Sequence, residues 1–291
     1  MTTSPETVVA VPVRHYGRWV GAALVLLTLG ALVVAFAGAD IDYQVTGEFL
    51  FAPTMLTGML NTVVISVLAQ ALGVALGVLA AVMRRSGNPV TRYVAALYIW
   101  FFRGTPVLVQ LLVWYNLSYV FPTLSLPGFG TWQTNDVMTP FLAALLGLGI
   151  NEGAYMAEIV RAGIGSVDDG QTEAAHALGM SPRLTMRRIV LPQAMRVIVP
   201  PTGNEFINML KTSSLAYAIQ YHELLQSTIT IYSNNLAIIE LLFTASLWYL
   251  FLTSVFSVVQ HHVERRFSRG TLAASPGLLS RVRSNLRMGR L

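Results

Sequence analysis

The sequence contains no cysteine and very little charge. Only 11% of its 291 residues are Asp, Glu, Lys or Arg, whereas 54% are hydrophobic. The absence of cysteine excludes disulfides, thiolate zinc sites and cysteine nucleophiles. Because a soluble domain carries about 25% charged residues, the scarcity of charge argues against a soluble protein. Lysine occurs once, as Lys211, and every other basic residue apart from histidine is an arginine.

The apolar residues form blocks long enough to cross a membrane. About 20 apolar residues span a bilayer as a helix, and soluble helices of that length keep a polar face. The sequence therefore predicts an all-α integral membrane protein with six transmembrane helices, at 19–39, 54–83, 90–121, 138–160, 202–220 and 236–258. A signal peptide ending near Ala37 and Ala39 is the alternative for the first block, whose length favours a retained helix.

The third block is interrupted near its middle. A continuous helix over 90–121 would overshoot the bilayer, because each residue adds about 1.5 Å. The block contains Arg103, Gly104, Thr105 and Pro106, and a proline disfavours helix at the residue before it. The sequence predicts two half-length segments that meet within the membrane.

Three segments between the predicted helices lack positive charge. Residues 40–53, 122–137 and 221–235 contain no Lys or Arg, whereas arginines occur in the other connecting segments and in the tail after Glu264. Cytoplasmic loops of membrane proteins carry the excess of positive charge. Both termini are therefore predicted to be cytoplasmic, together with the loop 166–201.

This cytoplasmic loop has the signals of two short helices. Asp168 or Asp169 can cap the first helix, Gly179 can end it, and Ser181 before a proline is a favoured start for the second. Pro192 is predicted to stop the second helix. The result is an amphipathic hairpin that either docks on a partner protein or lies on anionic lipid.

One pattern in the loop has a specific spacing. Its residues are Glu173, Ala174, Ala175, Gly179, Ile189, Leu191 and Pro192. The pattern resembles the EAA loop of binding-protein-dependent ABC importer permeases, and residues 102–106, 158–164 and 211–215 resemble motifs of the polar amino acid branch of that family. The resemblance implies that the loop fits a cleft on an ATPase subunit and transmits its closure.

The resemblance also implies an architecture and a function. It implies a five-helix type I ABC importer core at 54–262, preceded by a cytoplasmic segment 1–18 and an additional helix at 19–39, and followed by a basic cytoplasmic tail at 263–291. The chain is expected to be a permease subunit for polar amino acids in the bacterial cytoplasmic membrane, and not an enzyme.

The expected partners of such a permease are proteins, lipid and the transported solute. The proteins are a cytoplasmic ATP-binding subunit, an external solute-binding protein and a second permease subunit; no nucleic acid is expected. The sequence has no Gly-x-x-x-x-Gly-Lys-Ser/Thr phosphate loop, so ATP and Mg²⁺ are expected on the ATPase alone. The chain itself is expected to bind no cofactor and no metal.

Ionisable residues within the predicted helices are candidates for contact with the solute, because charges are costly in a bilayer. Arg103 lies at the break, and Thr105 begins a half-helix whose free amides suit a carboxylate. Lys211 and the hydroxyls of the three residues that follow it, Thr212, Ser213 and Ser214, are further candidate donors for the solute.

A carboxylate could hold the α-amino group of the solute or a cationic side chain. Glu152, Tyr155 and Glu158 repeat at i, i+3 spacing, which places them on one helix face. The alternative is that the intramembrane charges only pair with one another and hold helices together.

Secondary transporters and intramembrane enzymes are the two alternative functional classes. A secondary transporter driven by an ion gradient also has intramembrane charges and broken helices, but it has no need of a hairpin that docks on an ATPase. The sequence contains no recognisable nucleophile triad or zinc motif, which disfavours an intramembrane enzyme.

Overall fold

The computed structural model describes residues 16–39, 41–126, 128 and 130–267, most of which are helical. The helices are α1 (Tyr16–Ala37), α2 (Tyr43–Leu50), α3 (Pro53–Arg84), α4 (Pro89–Gly104), α5 (Val107–Tyr115), α6 (Thr134–Val137), α7 (Pro140–Gly165), α8 (Asp169–Ala177), α9 (Pro182–Thr185), α10 (Leu191–Thr212), α11 (Leu224–Asn235) and α12 (Ile238–Phe267). Short 3-10 segments, Leu117–Tyr119 and Ser213–Ile219, follow α5 and α10, and the strands β1 (Thr123–Leu126) and β2 (Gly130–Gln133) form an antiparallel hairpin. Most of the predicted segments 1–18 and 263–291 lies outside the described residues.

The chain forms two compact units, 1–44 and 45–291. In the first unit, every side chain of α1 that the structure describes is exposed. Among the described residues, α1, α3 and α12 are each long and apolar enough to cross a membrane, and α4 with α5 qualifies as one bent segment. The helices α7 and α10 contain charged residues within their length and do not reach the same apolarity.

The break predicted in the third apolar block is confirmed. The axis turns by 104° between α4 and α5. Thr105 has an extended backbone, with φ −114° and ψ 146°, because it precedes Pro106. The two half-length helices therefore meet at an irregular turn, which places Thr105 beside α7 and α10.

Glycine allows α3 and α7 to pack closely. Gly73 and Gly77 have the spacing of small residues that lets helices approach each other in lipid. A Cβ atom built on Gly73 would lie 2.5 Å from the Cγ atom of Glu152, and one on Gly77 would overlap the Met156 side chain. This close contact sets α7, and Glu152 with it, against α3.

Replacing Gly77 with alanine should destabilise the protein. Overpacking against Met156 costs about 1–3 kcal/mol, partly offset by the roughly 1 kcal/mol that alanine gains over glycine in a helix. Gly21 is the matched control, because it is also helical but has open space around its Cβ position. The thermal unfolding midpoint in detergent should fall for Gly77→Ala and not for Gly21→Ala. Equal midpoints would contradict the close packing of α3 on α7.

The helix after the cytoplasmic hairpin does not stop at Pro192. The prediction that this proline stops the second short helix is wrong, because the helical backbone continues through it into α10. A π turn over Met186–Val190 precedes the proline, and the Leu191 N–H donates to the carbonyl of Met186, five residues back. Proline has no N–H to donate, and the wider turn lets the helix run through it.

The segments 122–137 and 221–235, predicted only as outer loops, contain regular structure. The first forms β1, β2 and α6, and the second forms α11. Glu223 is fully buried at the start of α11, where its carboxylate accepts hydrogen bonds of 2.7 Å from the Gln226 N–H and from the Tyr249 hydroxyl. Because Tyr249 belongs to α12, this contact fixes the start of α11.

Candidate functional site

A cavity of about 760 Å³ lies beside the break between α4 and α5. Its walls come from the break, from the middle of α7, from the second half of α10 and from the 3-10 segment that follows α10. Six of the residues predicted to contact a solute line this cavity, namely Thr105, Glu152, Tyr155, Lys211, Thr212 and Ser214. The fold thus brings together candidate residues that are far apart in the sequence.

Two glutamates give the cavity an acidic side. Glu152 on α7 is only 5% exposed, and the Nε2 atom of Gln70 donates a hydrogen bond of 3.2 Å to its Oε1 atom. Glu205 on α10 also lines the cavity. Since two nearby carboxylates repel each other and attract a cation, this side of the cavity suits an ammonium or guanidinium group.

The cavity also carries hydrogen-bond donors. Val107 opens α5 at the cavity wall, and the first N–H groups of a helix have no partner within it and carry partial positive charge. The Lys211 side chain lines the same cavity, and its ammonium together with these N–H groups suits a carboxylate. Thr105 and Ser214 line the cavity too, but their hydroxyls already donate to the carbonyls of Phe101 and Lys211.

Sequence reasoning missed several lining residues. They are the acid Glu205 and the amides Asn151 and Asn208. Glu205 could have been found from the sequence, because it is an acid within the predicted span 202–220. The two amides could not, since an isolated amide in a helix is ordinary.

Three predicted site residues are not part of the cavity lining. Arg103 stacks on Tyr155, with its Cζ atom 5.2 Å from the ring centroid. Glu158 accepts hydrogen bonds of 2.8 and 2.6 Å from Arg161, so its charge is paired on its own helix. Ser213 is fully buried, and its hydroxyl donates to a backbone carbonyl of α10 at 3.0 Å. Arg103 therefore contacts Tyr155, which lines the cavity.

The hairpin of α8 and α9 has the predicted caps. Asp168 caps α8 and Ser181 caps α9, each through a side-chain oxygen that accepts a backbone N–H. Gly179 ends α8 with φ 77°. Its N–H and that of Met180 donate to carbonyls of α8 at 2.9 and 3.0 Å, which is the Schellman arrangement. The tip of the hairpin is therefore a defined turn that requires a left-handed residue.

The surface of this hairpin is partly apolar. Leu178 is 83% exposed at the tip, whereas Ala175 is only 4% exposed because its side chain faces the protein. Ala175 is therefore too buried to form much of the predicted contact surface, which must be provided by the exposed residues around it. The exposed members of the spaced pattern are Glu173, Ala174, Gly179, Leu191 and Pro192, and Ile189 is half-buried.

Comparison with known families gives one match over most of the chain. Residues 73–269 match the family model described as the binding-protein-dependent transport system inner membrane component. The matched region contains the cavity, the hairpin and α12, and excludes α1 and α2.

Relatives with assigned names are similar over most of their length. The arginine transport system permease protein ArgU of Corynebacterium glutamicum is 44% identical over 273 residues, which cover 93% of this chain and 86% of the relative. The glutamine transport system permease protein GlnP of Escherichia coli strain K12 is 35% identical over 216 residues, which cover 74% of this chain and 93% of that protein.

Solved structures share the fold. A crystal structure of an amino acid ABC transporter with histidines is 36% identical, with a TM-score of 0.68, over 78% of this chain and all of the other. The MetNI methionine ABC transporter, in an inward-facing conformation, is 17% identical with a TM-score of 0.61, over 74% of this chain and 97% of the other. The second likeness concerns the fold alone.

Proposed function

Because the chain belongs to the family of inner membrane components of binding-protein-dependent transport systems, we propose that it is the membrane-spanning subunit of an ATP-driven importer of cationic amino acids. A chain of this family is a transport subunit and not an enzyme, and the ATPase is a separate subunit. The single observation that carries the proposal is the cavity that joins two carboxylates to a set of donors within the membrane-spanning helices.

The cavity's polarity supports a cationic amino acid as the solute. Glu152 and Glu205 suit the amino group and a positively charged side chain, and Lys211 and the first amides of α5 suit the α-carboxylate. Arg103, which stacks on Tyr155, remains a proposed partner of that carboxylate. The relative named as an arginine permease supports the same solute class.

The hairpin of α8 and α9 supports a cytoplasmic partner. Its exposed Leu178 and small residues offer a surface on which another protein can dock. We assign this surface to the ATPase, so that closure of the ATPase dimer on binding ATP would move the hairpin and turn the cavity outward. Hydrolysis would return the cavity inward, as alternating access around a fixed site requires.

The proposed topology has six spans and two cytoplasmic termini. Helix α1 is the first span, α4 and α5 together form the third, and the polar helices α7 and α10 are spans because they pack against α3 and against each other. A second permease subunit would complete the path, and a solute-binding protein would deliver solute to the outer face.

Uptake by the reconstituted complex tests the function. Vesicles containing the permease and its ATPase, with the solute-binding protein outside, should accumulate labelled arginine only when ATP is enclosed. Uptake that persists without the ATPase would refute the proposal. Collapse of uptake by an ionophore at constant ATP would favour a secondary transporter instead.

A further inference from the structure

The break between α4 and α5 leaves carbonyl groups without helical partners. The axis turns by 104° at this point, and Pro106 has no N–H to donate. An unsatisfied carbonyl within a bilayer costs several kcal/mol. The carbonyls of Phe102 and Thr105 therefore need donors from elsewhere in the fold.

Gln110 supplies the first set of donors. This residue lies on α5, and its side chain is buried, with 5% exposure. The two N–H groups of its Nε2 atom are shared among three acceptors, the carbonyls of Phe102 and Thr105 at 3.0 and 3.1 Å and the hydroxyl of Thr105 at 2.8 Å. The side chain thus folds back over the turn that precedes its own helix.

Asn151 supplies the second set from α7. Its Nδ2 atom donates to the carbonyl of Phe102 at 2.7 Å and to the Oε1 atom of Gln110 at 3.2 Å. One turn earlier on α4, the Tyr98 hydroxyl donates to the carbonyl of Ile150 at 2.7 Å. The end of α4 is therefore joined to α5 and to α7 at the same level.

We propose that Gln110 and Asn151 are positioning residues for solute binding. They hold the bend so that Thr105 and the first turn of α5 lie at a fixed distance from Glu152, which follows Asn151 on α7. The inference rests on the proposed function, because it concerns the cavity assigned to the solute. The Gln110 side chain donates through its nitrogen and accepts from Asn151 through its oxygen. An apolar side chain can do neither, and an ionised carboxylate cannot donate, so neither can replace Gln110.

Replacing Gln110 with methionine tests this role. Methionine keeps the length of the side chain and removes every hydrogen bond. The apparent KM of ATP-dependent arginine uptake should rise about tenfold, as loss of one or two buried hydrogen bonds implies. The maximal rate per reconstituted complex should change less than twofold. Asn116→Leu is the control, because Asn116 is an exposed amide at the other end of α5 whose side chain donates to the carbonyl of Leu112 on its own helix.

A second variant keeps the inference testable if Gln110→Met does not fold. Gln110→Asn keeps the amide but is too short to reach both carbonyls, and it should also raise KM more than Asn116→Leu does. An unchanged KM in a folded Gln110 variant, with a lower maximal rate, would overturn the inference and leave a structural role. If the unaltered complex shows no ATP-dependent arginine uptake, the proposed function fails, independently of Gln110; binding of arginine to the solubilised complexes would then test the positioning role directly.

Discussion

Replacing Gly179 with aspartate should uncouple ATP hydrolysis from uptake and leave the protein in the membrane. Gly179 has φ 77°, a left-handed conformation that costs an L residue about 1–2 kcal/mol. The turn would therefore shift and would place a charge beside the exposed Leu178. Since every 1.4 kcal/mol is tenfold in an equilibrium, ATP-dependent uptake should fall by roughly 5- to 30-fold.

Gly87→Asp is the matched control for this prediction. Gly87 lies in the turn between α3 and α4, on the same proposed side of the membrane, and has open space around its Cβ position without a left-handed backbone. ATPase activity and arginine uptake should be measured on the same vesicles. In Gly179→Asp, hydrolysis should continue without responding to the loaded solute-binding protein. Normal coupling would show that the hairpin tip does not transmit closure of the ATPase.

Local signals in the sequence predict the elements that frame the site. The caps of the hairpin follow from Asp168, Gly179 and Ser181, because each acts on backbone groups within a few residues. The break follows from Thr105-Pro106 for the same reason. In each case the physics that decides the structure lies within one turn of chain, so a single sequence is sufficient.

The rest of the site depends on contacts that no local pattern reveals. Gln110 and Asn151 are 41 residues apart, and each is an ordinary helical amide until the fold joins them. Pro192 is the opposite case, because the local rule that proline stops a helix is overridden by a π turn that ends two residues before it. Gln220 and Leu236 adopt positive φ values of 59° and 61°, which cannot be predicted from their residue types. Tertiary packing decides all of these features.

Replacing Glu152 and Glu205 with glutamine should remove the preference for a cationic amino acid. Glutamine keeps the shape of the side chain and removes its charge, and a hydrogen bond to a charged group is worth about 1.5–3 kcal/mol. Each variant should therefore weaken binding of arginine by roughly 10- to 100-fold. Glu158→Gln is the control, because the Glu158 carboxylate is already paired with Arg161 and does not line the cavity.

Comparison of arginine with glutamine separates the roles of the two acids. Both amino acids have an α-amino group, but only arginine has a cationic side chain. The acid that holds the amino group should weaken binding of both when it is replaced, and the acid that faces the side chain should weaken binding of arginine alone. Equilibrium binding of each labelled amino acid to the solubilised complex measures this difference. If arginine binds both variants as tightly as the unaltered protein, the two carboxylates do not select the solute, because neutralising a charge that contacts a cation cannot leave the affinity unchanged.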